Sequence, residues 1–183
     1  DETVQLTVHY SAEKRDLQVP VSRADLCVDL KLQLFLLLGV APSRQRLLKG
    51  VELSHDSTLT QFYPAHGKRP PKIMLMVKPP SEPGAGLGAK QGMELLQGLQ
   101  AELEVQTATT AALERVLARA AAPDLSRLHS LACGLEDSTM KLLLTLDSVE
   151  GDDNVRTNRK ALAKAYNALL ERLDGLKDKA KPI

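Results

Sequence analysis

Four histidines, two cysteines and one knot of carboxylates are the residues of this chain that could carry chemistry. His9, His55, His66 and His129 are scattered, and no two of them have the spacing that lets one helix offer a pair of metal ligands. Cys27 and Cys133 lie far apart within apolar helical patterns, and neither neighbours a histidine in a recognised catalytic motif. They read as buried free thiols, which suits a reducing compartment. Glu150, Asp152 and Asp153 lack the regular ligand spacing and bidentate closing glutamate of a calcium loop, so capping of a following helix explains them better. The glycines between Gly84 and Gly92 superficially resemble a phosphate loop. That loop needs Gly-Lys-Ser/Thr, because lysine meets the outer phosphates and the hydroxyl meets magnesium. Here Lys90 follows Ala89 and precedes Gln91. No catalytic residue, metal or cofactor is expected.

One polar arrangement does need explaining. After an acidic turn around Gly151, the residues Leu162, Tyr166, Leu169, Leu173 and Leu176 recur at helical spacing as a packing stripe. Arg159 and Asn167 lie on an adjoining face, eight residues apart, with Ala163 between them. On the helix before, Asp137, Lys141, Leu144 and Asp147 lie away from the Leu135, Leu142 and Leu146 seam. Alternating charge of this kind sets register and orientation with a partner more than it adds affinity.

The elements that position these residues follow from composition and period. The 183 residues are 43% hydrophobic and 26% charged with a net charge of +1, an ordinary globular balance that argues for neither nucleic acid nor membrane as a partner. Up to Pro80 there are 11 Lys/Arg against 8 Asp/Glu, and beyond it 13 against 15. The basic run Lys68 to Lys72 reads as a solvated loop. No apolar run is long enough to span a bilayer. The chain opens on Asp1 and Glu2 without a signal-peptide pattern, so the expected location is the cytoplasm, with the nucleus also open.

Val4, Leu6 and Val8, then Leu17, Val19 and Val21, alternate as two half-buried strands across a polar turn. Leu26, Leu30, Leu34, Leu37 and Leu38 form a helical stripe ended by Gly39, and strands are expected at Gln45 to Leu48 and Ile73 to Val77. Residues 79–92, rich in Pro and Gly, read as a linker with few contacts to its neighbours. Beyond it Tyr166 is the single aromatic, and three antiparallel helices packed by Leu, Ala and Val are expected. The first should be stopped by Pro123, and the second runs from Leu125 to Val149 along a heptad-like seam. The fold class is α+β, a small mixed domain over 3–78 followed by an all-α three-helix bundle over 93–178.

Two resemblances add to this reading. Arg44 to Phe62, RQRLLKGVELSHDSTLTQF, is similar to the central segment of ubiquitin, where Q-R-L leads to a glycine turn and then to T-L and an aromatic. With the hairpin, helix and last strand it implies a ubiquitin-like β-grasp over Thr3 to Lys78. It departs by a turn one residue shorter and by Val51 in place of the lysine after the glycine. It also continues through Pro79 and Pro80 where ubiquitin ends in a glycine pair, so it reads as an integral module. The resemblance implies a ubiquitin-receptor patch at Leu48 and Met76, with the proteasome among its receptors.

The second resemblance lies in Leu146 to Asp174, LDSVEGDDNVRTNRKALAKAYNALLERLD. It is similar to the closing part of the BAG domain, which regulates seventy-kilodalton heat-shock chaperones, and most so to plant-type members. The likeness rests on the Leu-Asp closing one helix, the short acidic turn, and the Arg159-Lys160 opening of the next. It implies a co-chaperone that grips both lobes of the chaperone's nucleotide-binding domain and speeds ADP release. The family's contact acids fall on Asp137, a shorter replacement for glutamate, and on Asp147. Its arginine falls on Arg159, followed by Lys160, and its glutamine on Asn167, which shortens the reach by one methylene. Arg159→Ala is expected to leave the bundle folded. A ubiquitin-like shuttle whose bundle binds another protein is the alternative. A ubiquitin-pathway enzyme is a further one, weighed down by the missing Cys-His and metal motifs.

Overall fold

The computed structural model describes residues 3–62, 72–88, 90–119 and 124–181. Tyr63, His66, the basic run from Lys68 to Pro71, and Pro123 lie outside the described residues. The chain divides into two compact units, Asp1–Pro80 and Ser81–Ile183.

The first unit is a five-stranded sheet in the order β2-β1-β5-β3-β4. Its strands are β1 (Thr3–Tyr10), β2 (Arg15–Ser22), β3 (Gln45–Lys49), β4 (Val51–Glu52) and β5 (Ile73–Val77). β1 and β2 form an antiparallel hairpin, whose turn places Lys14 at φ 50. β5 pairs parallel with β1 and antiparallel with β3. Pro20 is tolerated because β2 lies at the sheet edge, where a missing N–H breaks no ladder.

Alternation along the strands sends Leu6, Val8, Val19, Leu47, Ile73 and Leu75 to one face. There they meet Cys27, Leu30 and Leu34 of α1 (Cys27–Leu38). Leu37, expected on the packing stripe, is exposed instead. Gly39 ends α1 in the left-handed region (φ 73), its N–H donating to the Phe35 carbonyl at 2.7 Å. A helix crossing such a mixed sheet is the β-grasp arrangement. Burial pushes the Cys27 thiol up to about 11, and burial with nearby Lys31 and Lys78 pulls the His55 imidazole down to about 4.

The second unit is a bundle of α2 (Gly92–Arg119), α3 (Leu125–Asp147) and α4 (Asp153–Lys179), about 35 to 42 Å long at 1.5 Å per residue. All five stripe residues of α4 are buried, as are Leu128, Ala132, Thr139, Leu142 and Leu146 of the α3 seam. Asp124 caps α3 by accepting from the Arg127 N–H at 3.1 Å, and Asp152 caps α4 by accepting from Val155 at 2.9 Å.

The bundle core holds polar groups that are hydrogen-bonded within and between its helices. Thr109 and Thr110 hydroxyls donate one turn back to the Val105 and Gln106 carbonyls. The Thr139 hydroxyl lies 2.6 Å from Gln106 Oε1 and 2.7 Å from the Leu135 carbonyl, which share its hydrogen. The buried Tyr166 hydroxyl donates to the Leu99 carbonyl at 2.7 Å, and burial raises its pKa well above the ordinary phenol value. Half-exposed pairs, Arg172 with Glu114 and Lys177 with Glu136, tie α4 to its neighbours.

Residues 81–88, read from composition as linker, pack as a strap on this bundle. Leu87 is 7% exposed and joins the cluster of Leu95, Leu96, Leu99 and Leu142. It sits in a slot left by Gly98, where a Cβ would come within 2.3 Å of its Cδ2. Among the described residues, no helix is long and apolar enough to cross a membrane.

Candidate functional site

The residues singled out on the bundle fall on adjacent helices joined by the short turn Ser148 to Asp152. Asp137 and Asp147 are exposed on α3, and Lys160 and Asn167 are exposed on α4. Lys160 and Asn167, seven residues apart, share one helical face. Small, half-buried Ala163 lies between them in sequence.

Arg159 differs from the others. It is half-buried, and its Nη1 donates to the Val149 carbonyl at 2.8 Å, across the α3–α4 turn. A guanidinium has five donors, so one bond to the turn leaves others for a partner. The residue nevertheless helps to shape the turn, and Arg159→Ala touches the fold as well as the surface. This changes the expectation that the bundle would be indifferent to it. Sequence spacing could not show the contact, because Val149 lies in irregular backbone beyond the helix.

Two features were missed. Lys141 of α3 carries an ion pair to Glu82 of the strap at 3.2 Å. Cys133 is half-buried, not buried, and its Sγ lies 3.6 Å from Nε2 of His129, whose Nδ1 is 3.2 Å from the Lys177 carbonyl. The i, i+4 spacing of His129 and Cys133 on one helix was the available signal. Among the described residues, no group of three or more His, Cys, Asp or Glu side chains is placed to hold a metal.

On the first unit, Leu48 and Met76 lie on the sheet face opposite α1. Leu48 is half-buried, and its cross-strand partner is Met74, 44% exposed, while Met76 faces Arg46 and is 39% exposed. The apolar surface is therefore Leu48, Met74 and Met76, with His9 beside Met74 on β1. Met74 was legible in the alternation of β5 but was not singled out. Arg46 is held by Glu52 at 2.9 Å, so charge at this edge of the patch is partly neutralised.

Comparison with known proteins bears on the second unit. Residues 94–176 match the family model described as the BAG domain. None of the curated proteins matches the chain. Among solved structures it is similar to Arabidopsis ATBAG1 in complex with HSP70, at 21% identity, with 96% of this chain and 98% of that one covered and a TM-score of 0.42. The family match spans α2, α3 and α4 almost end to end, in a unit whose topology is three packed helices. Over residues 94–176, somewhat less than half of its length, this chain is similar to the BAG domain.

Proposed function

We propose that this chain is a co-chaperone, not an enzyme, that binds the nucleotide-binding domain of a seventy-kilodalton heat-shock chaperone and promotes ADP release. The observation that carries this reading is the likeness to the BAG domain, with Asp137, Asp147, Lys160 and Asn167 exposed on the last two helices. In this reading Asp137 and Asp147 meet cationic groups of the chaperone, Arg159 and Lys160 meet acidic ones, and Asn167 adds a shorter amide contact. Exchange then follows as a population shift. The bundle binds the open chaperone domain better than the closed one, so nucleotide affinity falls without any contact to ADP. By linkage, ADP weakens co-chaperone binding by the same factor.

The domains of this reading span 3–78 and 93–178, with 79–92 between them and its Leu87 stretch laid on the bundle, and the protein acts in the cytoplasm. The β-grasp unit adds a second contact, in which Leu48, Met74 and Met76 dock a ubiquitin receptor such as the proteasome's, coupling chaperone to degradation. Stopped-flow release of a fluorescent ADP analogue from the chaperone tests the main claim. Release accelerated by the full chain, and lost on Asp147→Asn with Lys160→Ala, supports it. Binding by calorimetry without acceleration would reduce the chain to an adaptor, and no binding would remove the reading altogether.

A further inference from the structure

Two large apolar side chains of α3 stand clear of the bundle. Met140 is 52% exposed and Leu144 69%, whereas Leu142 and Leu146 beside them are buried. Among the described residues of the helical unit, no other large apolar side chain is so exposed. Single exposed leucines are common and need no explanation. A pair one turn apart, in a unit whose other described large apolar side chains are buried or half-buried, does. Asp137, Met140, Leu144 and Asp147 follow one another at spacings of three, four and three, which sets them in a single stripe along the helix. The apolar pair is thus bracketed by acids, with Lys141 alongside.

A second copy of the chain is a poor occupant. Laid antiparallel and centred on the apolar pair, it would set Asp137 against Asp147, and laid parallel in register it would set each acid against itself. Like charges placed opposite one another oppose such pairing. The complementary surface is an apolar recess flanked by cationic side chains.

We propose that Met140 and Leu144 are the apolar anchor of the chaperone-binding face, seated in such a recess on the chaperone's nucleotide-binding domain. The inference rests on the co-chaperone reading above and assigns to that face a component other than charge. Acids at the rim steer and orient the encounter, while a desolvated apolar centre holds the complex together. Removing the anchor therefore shortens the lifetime of the complex, whereas removing the acids slows its formation and changes its response to salt.

The test uses the full chain against an isolated chaperone nucleotide-binding domain, by surface-captured kinetics between about 50 and 500 mM salt. Leu144→Ala should weaken binding by about tenfold or more, mainly through faster dissociation, to a similar degree at every salt concentration. Met140→Ala should act in the same sense with a smaller factor. Asp147→Asn should lower the association rate and flatten the salt dependence. Both apolar variants should keep the helicity and melting temperature of the parent, because the side chains they shorten stand in solvent. If Asp147→Asn weakens binding while Leu144→Ala stays within about twofold of the parent, the anchor is wrong and the co-chaperone reading stands. If the unaltered chain does not bind the domain, both fall. If Leu144→Ala only abolishes self-association seen in sedimentation, the stripe is a contact between copies and the proposal is overturned.

Discussion

Leu87 and Gly98 should behave as one unit in a double-mutant cycle. Leu87 is 7% exposed and fills the slot above Gly98, so Leu87→Ala removes a buried side chain and leaves a hollow between the strap and α2. Core Leu→Ala changes cost about 2–5 kcal/mol. The strap is a surface segment that can settle, which places this one near the low end, about 2–3 kcal/mol.

Gly98 sits inside α2, where alanine in its place would ordinarily stabilise by about 1 kcal/mol. Here the new Cβ would lie 2.3 Å from the Leu87 Cδ2, and Leu87 must swing out of its slot, so Gly98→Ala in the parent should destabilise. In the Leu87→Ala background the obstruction is gone and the same change should stabilise by about 1 kcal/mol. That reversal of sign is the signature. Denaturation followed by far-UV circular dichroism, dominated by the three long helices, measures all four corners. For a unit of this size about 4–8 °C of melting temperature accompanies each kcal/mol. Should Gly98→Ala stabilise the parent and the double variant alike, Leu87 does not occupy the slot in solution and the strap is the free linker its composition describes.

Three further outcomes follow from the geometry. The folded pKa of His55, about 4, lies below its unfolded value of 6.5, so the fold favours the neutral ring. Its contribution is full above about pH 6.5 and is lost as pH falls toward 4. After discounting for partial exposure this amounts to about 1–2 kcal/mol, and an imidazole NMR titration with a midpoint near 6.5 would refute it. Arg159→Ala should lower chaperone affinity by about 2 kcal/mol and, through the lost Val149 bond, should also lower the melting temperature of the bundle. Arg159→Lys should restore more of the stability than of the binding, and an unchanged melting temperature in the alanine variant would sink the turn contact. Asp152→Ala should destabilise by about 1 kcal/mol, because the Val155 N–H loses its cap. A denaturant midpoint equal to the parent's would remove the cap from the account.

What could be read from sequence was whatever repeats along the chain. β5 was legible as Ile73 to Val77 because alternation has period two, and the α4 stripe because five apolar residues follow the helical period without interruption. Leu37 was misplaced for the converse reason. From Leu34 to Leu38 every residue is apolar, so periodicity cannot tell the inward side of α1 from the outward one. Leu87 was hidden by its setting, since proline and glycine predict turns but say nothing of one leucine among them. Its partner is an absence, the missing side chain of Gly98, and no composition rule registers that. The exposed polar residues of α3 and α4 were legible as a face. The bond from Arg159 to Val149 was not, because it depends on the path of the turn.

The buried bond between Thr139 and Gln106 bears on which bundle this sequence can form. Leu128, Leu135 and Leu142 recur every seven residues along α3, so sliding that helix by two turns against α2 would lay leucine where leucine had been. Greasy contacts alone would scarcely tell the two alignments apart. The amide of Gln106 would: in the slipped arrangement it would face hydrocarbon in place of a hydroxyl, and an unanswered buried polar group costs about 1–3 kcal/mol. A single polar mismatch of this kind is how coiled helices hold one alignment over its near-equals. It keeps Asp137 and Asp147 at one fixed height along α2, and the Tyr166 bond to Leu99 ties α4, with Lys160 and Asn167, to that same helix.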